Sequence, residues 1–414
     1  MSTAPTGVNA KAISRFQAFS ALKHRNYRIY WLGMLVAITG WQIQMVAQAW
    51  LVYKLTDSPF YLGLAGLAQA IPTIVLTLFG GVVADRVDRR KLLILTQTST
   101  GLLMLVLAVL VGTELVKIWH ILLIAFLIGA IWAFDQPARM ALVPHLVDRE
   151  DLMNAVAMGS MIWQGSRIIG PALAGVLLAT VGYAACFYLT TIGFLAMVGS
   201  LILVRVPPTA SIAATQNVAQ NLVEGINFIL RSPVFFTLIG MTFFNSLFGF
   251  SYVTLMPVFA ESILHVGERG GGLLMGMSGV GAVIGTTAIA SLGNFKYKGR
   301  LILVGGTAFG LTLLLFSLSP WYYVSLGVLF VSGIVNSFYL TSVNTMLQDL
   351  VPDQLRGRVM GIYGLTWSVL PLGGMAAGGI ATVAGAPFAV GMGGVLVAAM
   401  AVMVALFVPR IRSL

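Results

Sequence analysis

The stretch Gly80-Gly81-Val82-Val83-Ala84-Asp85-Arg86-Val87-Asp88-Arg89-Arg90-Lys91 joins two apolar runs, Phe60–Ala84 and Leu92–Gly112. All of its charged side chains fall between Asp85 and Lys91, where neither run continues. A membrane-crossing helix takes about 20 apolar residues, and each flanking run has that length. The segment therefore reads as a tight charged turn between two crossings. Its excess of arginine and lysine assigns it to the cytoplasmic face, because basic loops are retained there.

Working outward with the same criterion gives twelve crossings. In the first half they are Arg28–Tyr53, Phe60–Ala84, Leu92–Gly112, Ile118–Phe134, Met153–Thr180 and Tyr183–Val204. The second half gives Val234–Phe259, Gly271–Leu292, Leu301–Leu318, Trp321–Leu347, Val359–Val383 and Pro387–Val408. The expected fold is an all-α membrane protein with 12 transmembrane helices in two pseudo-symmetric six-helix bundles. Its expected divisions are a cytoplasmic segment at 1–27, bundles at 28–204 and 234–408, a linker at 205–233 and a tail at 409–414. With the amino terminus inside, all but four of the 24 lysines and arginines become cytoplasmic, the exceptions being Lys54, Lys117, Arg167 and Arg269. Both termini are then cytoplasmic, and the expected location is the inner (plasma) membrane. The first apolar run follows a polar, basic segment and is expected to stay in the membrane.

Composition excludes several classes. Only 9% of residues are charged and 58% are hydrophobic, against roughly 25% charged in a soluble domain, so water cannot be the main solvent. The net charge of +11 is absorbed by membrane topology, which leaves no case for nucleic acid. Cys186 stands alone and can form neither an internal disulfide nor a metal cluster. No phosphate-binding G-x-x-x-x-G-K-[ST] appears, and no acid, base and nucleophile constellation emerges. Neither an enzyme nor a cofactor or metal is expected. The expected partners are a small-molecule substrate, protons and membrane lipid, and the expected state is a monomer.

The halves repeat. Leu142-Val143-Pro144-His145-Leu146-Val147 precedes the fifth crossing and Leu347-Gln348-Asp349-Leu350-Val351-Pro352 precedes the eleventh. Gly170, Ala174 and Gly175 align with Gly373, Ala377 and Gly378 at a constant offset of 203. Paired halves of this kind are a recurring transporter architecture. Between them, Pro207 and Pro208 stop the sixth crossing, and Asn221–Leu230 is expected to form a short surface helix.

The turn quoted first resembles the signature G-x-L-A-D-R-x-G-R-K of the major facilitator superfamily. Gly81, Ala84, Asp85, Arg86, Arg89 and Arg90 match, while Val83 and Asp88 stand where leucine and glycine are usual. An ordinary basic loop would account for the arginines but not for the Gly and Asp spacing. The resemblance implies that Asp85 docks on the amino-terminal end of span eleven when the cytoplasmic side closes, with Arg139 as a partner. The equivalent loop at 293–300 keeps bases but has no aspartate, which implies one latch. Ser166-Arg167-Ile168-Ile169-Gly170-Pro171-Ala172-Leu173-Ala174-Gly175 is similar to the exporters' G-x-x-x-G-P-x-x-G-G, with Gly170, Pro171 and Gly175 in place. Small residues four apart also serve close helix packing, so both readings of this segment stand. The runs Leu55–Leu64 and Phe134–Arg139 resemble the enterobactin-exporter-like branch. The resemblance, spanning Phe19 to Pro409, implies export of a small amphipathic molecule by alternating access, with proton antiport. Nutrient import in the same fold and a non-transporting sensor or scaffold are the rival readings.

An ionisable group inside a bilayer is expensive and functional by default. Arg167 shares a polar stripe with Ser160 and Gln164 and is expected to face the central cavity; a structural cation tied to a neighbouring helix is the other reading. Arginine cannot release a proton at physiological pH, so Asp135 is the proton-coupling candidate, with a salt bridge to Arg139, one turn on, as its alternative. Glu261 is a weaker candidate, and His120 is read as interfacial. The fourth crossing lacks the R-x-x-Q-G of many drug antiporters, so their coupling mechanism does not carry over. Three further stripes are expected to line the cavity: Trp41, Gln44 and Gln48 in span one, Thr242, Asn245 and Tyr252 in span seven, and Ser337, Thr341 and Asn344 in span ten.

Overall fold

The computed structural model describes residues 17–205, 218–292 and 297–413. Within them every long apolar run is helical. Span one is Arg25–Thr56, span two Pro59–Arg86, span three Arg89–Gly112 and span four Ile118–Leu142. Spans five and six form one continuous assignment, Leu152–Leu203, that reverses at Gly182. At about 1.5 Å per residue a straight helix of that length would far exceed a bilayer, so it is two crossings. Then come span seven, Pro233–Ile263, span eight, Gly267–Leu292, and span nine, Lys298–Leu318. Spans ten, eleven and twelve are Tyr322–Leu350, Leu355–Ala384 and Ala386–Phe407. Twelve crossings result among the described residues.

The polarity of these helices is inverted relative to a soluble bundle. On span three Leu95 is 62% exposed while its neighbours Thr96 and Gln97 are 5% and 3% exposed. Leu102, Val106 and Val109 continue the exposed stripe. Lipid accepts the apolar face at no cost, whereas buried polar groups find partners inside.

Local chemistry sets the turns. Asp88 caps span three, its Oδ1 accepting from the backbone N–H of Arg90 at 2.9 Å and of Lys91 at 3.1 Å. The aspartate that stands in place of the usual glycine thus has a structural role, since carboxylates satisfy the open N–H groups of a first turn. Gly182 and Gly385 both take positive φ, 81° and 88°, at the reversals between spans five and six and between spans eleven and twelve. Side-chain-bearing residues disfavour that conformation, and the two glycines are separated by the same 203 positions as the repeat.

One expected bound needs adjustment, and two spans depart from a uniform α-helix. Span four was expected to stop at Phe134 but runs on to Leu142, because Asp135 and Arg139 neutralise each other inside the protein. Span seven is not a uniform α-helix: π-helical turns occupy Asn245–Gly249 and Phe259–Ile263. Span eleven tightens into a 3₁₀ turn at Thr366–Val369. The expected surface helix is present as Val218–Arg231, tied to span eleven by Glu224 and Arg358 at 2.7 Å. Lys11, Arg15, Pro207, Pro208 and the loop segment 293–296 lie outside the described residues.

Within the first half, span one packs on the five–six pair, span two on span four, and span three on spans four and six. In the second half, span eight packs on span ten, and span nine on spans ten and twelve. Across the halves, span five meets span eight and span two meets span eleven. These crossed pairs enclose the space between the bundles.

Candidate functional site

The crossed pairs approach closely at glycine. A Cβ on Gly175 would stand 2.8 Å from the Glu268 carbonyl oxygen and 2.9 Å from the Gly272 Cα. A Cβ on Gly63 would stand 2.5 Å from the Met375 Cα, and one on Gly378 would stand 2.5 Å from the Pro59 carbonyl oxygen. All four contacts sit near the 56–59 turn, the end of the bundle opposite the termini. Two hydrogen bonds cross between the halves at the same end. The Tyr183 hydroxyl donates to Glu268 Oε1 at 2.7 Å, and Tyr53 and Ser262 share one at 2.6 Å. Lys54 lies over the Tyr183 ring, 4.8 Å from its centroid. At the other end, ion pairs within a half join Lys23 with Asp151 at 2.7 Å, His24 with Asp151 at 2.8 Å, and Lys298 with Asp349 at 2.5 Å. The Asp151 carboxylate raises the Lys23 pKa by accepting its hydrogen bond.

Among the described residues, two cavities lie between the halves. The first, about 320 Å³, is walled by spans one, two, four, seven, eight and eleven. Its surface is mostly apolar, with Trp41, Trp50, Trp132 and Trp367 among its lining residues. Trp41 and Trp132 stack at 5.0 Å between centroids, and Trp163 stands edge-on to both at 5.6 Å and 5.9 Å. Its polar groups are amides and hydroxyls: Gln44 and Gln48, joined at 2.6 Å, together with Gln69 and Thr73.

The second cavity, about 290 Å³, is walled by spans one, five, seven, eight and ten. Gln164, Ser278, Thr286, Asn336, Ser337 and Thr341 make it more polar than the first. Tyr252 lines it too, sharing a hydrogen bond with Ser278 at 3.1 Å. Arg167 projects into it and remains exposed there, and no carboxylate among the described residues pairs with it. Met45, Val253 and Met275 line both cavities and form the partition.

The expected residues separate clearly against this geometry. Trp41, Gln44 and Gln48 face the first cavity, and Gln164, Arg167, Tyr252, Ser337 and Thr341 face the second. Thr242, Asn245 and Asn344 face neither. Thr242 is fully buried and bonds back to Leu238, Asn245 is buried at the π-turn, and Asn344 accepts from Gln348 at 2.5 Å. The one-residue excess of the π-turn lies between Asn245 and Tyr252, so Thr242 and Asn245 fall off the face that Tyr252 presents.

Asp135, the proton-coupling candidate, is 3% exposed and lines neither cavity. Its Oδ1 accepts from Thr96 at 2.7 Å and Gln97 at 2.6 Å, and its Oδ2 from Arg139 at 2.9 Å and 3.2 Å. Arg139, expected beside Asp85, therefore has Asp135 as its partner. Arg89 reaches the ring of His145 and the Ala141 carbonyl, while Arg90 donates to the carbonyls of Leu201 at 2.6 Å and Ile202 at 2.7 Å. Both arginines thus tie their turn to the first bundle. Arg86 is exposed at the end of span two, and the Asp85 side chain lies outside the described residues. In the exporter-like segment, Gly170 packs on Gln42, and Pro171 and Gly175 pack on Gly272. The segment makes a close helix contact across the halves.

Sequence reasoning missed Trp50, Trp132, Trp163 and Trp367. Membrane tryptophans concentrate at the water interfaces, so the mid-span positions of Trp132, Trp163 and Trp367 were the signal that could have found them, whereas Trp50, near the end of span one, carried none.

The family model described as transmembrane secretion effector, of the major facilitator type, matches residues 16–414. The chain belongs to this major facilitator family. Among relatives of this family member, the staphyloferrin A transporter of Staphylococcus aureus is 26% identical over 361 residues, covering 83% of this chain and 86% of the relative. The enterobactin exporter EntS of Citrobacter koseri is 26% identical over 343 residues, 82% and 81% of the two chains. The multidrug efflux pump Tap of Mycolicibacterium fortuitum is 27% identical over 398 residues, 92% and 95%. A bacterial homologue of the human lysosomal transporter Spinster, in an inward-facing and occupied conformation, superposes with TM-score 0.75 at 14% identity, covering 94% of this chain and 98% of the other. The nucleoside transporter NupG superposes at TM-score 0.68 and 12% identity, over 92% and 98%. At those identities the structural likeness speaks for the fold alone. The chain is a multi-pass membrane transporter and not an enzyme.

Proposed function

We propose that the chain exports a small amphipathic molecule by alternating access, from cavities that face the cytoplasm in the conformation described here. The carrying observation is the pair of cavities between the halves, set inward of an end sealed by backbone contacts at Gly175, Gly272, Gly63 and Gly378. Contact between glycine-bearing backbones allows two rigid bundles to close without side chains between them, and rocking about such a contact is how paired-repeat transporters alternate. The direction, outward, is supported by relatives named as exporters of a siderophore and of drugs. Proton antiport, which the exporter resemblance implies, would require an acid reachable from both sides. Asp135, locked to Arg139, lies away from both cavities.

The test is accumulation in cells. Deletion of the chain should raise the cytoplasmic level of an amphipathic cargo, and re-expression should lower it. Depletion of the cargo on deletion would establish import and overturn the proposal.

A further inference from the structure

We infer that the cargo is an amphipathic anion whose charged group pairs with Arg167 while its aromatic or apolar body occupies the tryptophan-lined cavity, and that the membrane potential drives it out. The inference rests on the export reading and deepens it. Among the described residues that line the two cavities, Arg167 is the one charged side chain, and Tyr252 is the one other that titrates. A guanidinium at membrane depth without a protein anion is a costly arrangement unless something completes it. Its planar fork of donors matches carboxylate, sulfonate or phosphate oxygens two at a time. Next door, Trp41, Trp132 and Trp367 are half-buried and offer ring surface with few polar groups, suited to a ring system and not to a sugar-like polyol. Met45, Val253 and Met275 line both chambers. Methionine is the most adaptable of apolar side chains, so a ligand can lie across this partition with its charge on one side and its body on the other.

Energetics follow from the same charge count. Neither cavity is lined by a described Asp, Glu or His that could exchange a proton against cargo. An anion leaving a negative interior needs no such exchange. Each 100 mV favours outward movement of a monoanion by a factor of about 50.

Binding is tested with purified full-length protein by calorimetry, using 2-naphthalenesulfonate and the uncharged 2-naphthalenesulfonamide. Arg167→Gln should weaken sulfonate binding at least tenfold and leave the sulfonamide unchanged, which also reports an intact fold. Trp132→Ala should weaken both. Equal sulfonate affinity in the wild type and Arg167→Gln would overturn the assignment. Transport is tested in proteoliposomes. Exchange of labelled for unlabelled sulfonate at zero net force reports carriage by itself, and its absence despite binding would overturn the carriage of such anions while leaving export of another cargo standing. Where exchange occurs, a valinomycin-set potential should drive net efflux, and a pH gradient clamped at zero potential should change the rate less than twofold. Exchange with net flux that follows the pH gradient and ignores the potential would overturn the drive while leaving export standing.

Discussion

Replacing Gly175 by alanine should hold the outer end of the protein open. The added methyl would lie 2.8 Å from the Glu268 carbonyl oxygen and 2.9 Å from the Gly272 Cα, well inside the roughly 3.5 Å at which carbon atoms rest in contact. Both obstructing atoms belong to backbone, so no side chain can swing aside, and spans five and eight must separate. Overpacking of this kind costs about 1–3 kcal/mol. Because the clash exists only while the halves touch at this end, the whole cost falls on the closed state. At about 1.4 kcal/mol per factor of ten, the closed population falls about 5- to 150-fold relative to the open one. Cys186 is the sole cysteine and is fully buried, so a cysteine introduced at Thr254, a lining position of the first cavity, gives a clean reporter. In intact cells, Gly175→Ala should raise labelling of Thr254→Cys by a membrane-impermeant maleimide within that range. Gly165→Ala is the control, since nothing lies within 4 Å of the Cβ it would add. Unchanged labelling in Gly175→Ala would refute the claim that this contact seals the outer end.

Asp135→Asn leaves the Arg139 guanidinium buried without its carboxylate, which should destabilise the protein by about 3–5 kcal/mol, read as a lower temperature for loss of monodisperse protein. Replacing Asp135 and Arg139 together with leucine should recover most of that loss, and flux in the double variant should keep the wild-type pH profile. Tyr183→Phe removes the donor to Glu268 and, at a half-exposed site where solvent weakens the bond, should raise outside labelling of Thr254→Cys only a few-fold. Asp85→Asn should reduce cargo flux while leaving expression intact; undiminished flux would remove its proposed role in closing the cytoplasmic side.

The membrane reading was legible because it depends on composition and period. Charges excluded from apolar runs of about 20 residues mark crossings wherever the neighbours lie. Arg167 was legible for the same reason, since a cation amid Ile168, Ile169 and Gly170 has few places to go but a cavity. One-turn spacing offers the Asp135–Arg139 pair as an alternative, but its seal by Thr96 and Gln97 joins two spans whose packing no local pattern encodes. Asn245 was misplaced because a π-turn changes the angular step that every stripe argument assumes.

By itself, then, the chain determined that it crosses the membrane twelve times, that its halves repeat and which family it resembles, because lipid imposes those demands on each segment separately. Only the tertiary structure decided which end is sealed, that the described residues between the bundles wall two chambers, and that indoles of span one share a wall with Trp367 of span eleven, more than three quarters of the chain away. Those outcomes depend on contacts between helices distant in sequence, where a glycine facing a glycine and a glycine facing lipid are written with the same letter.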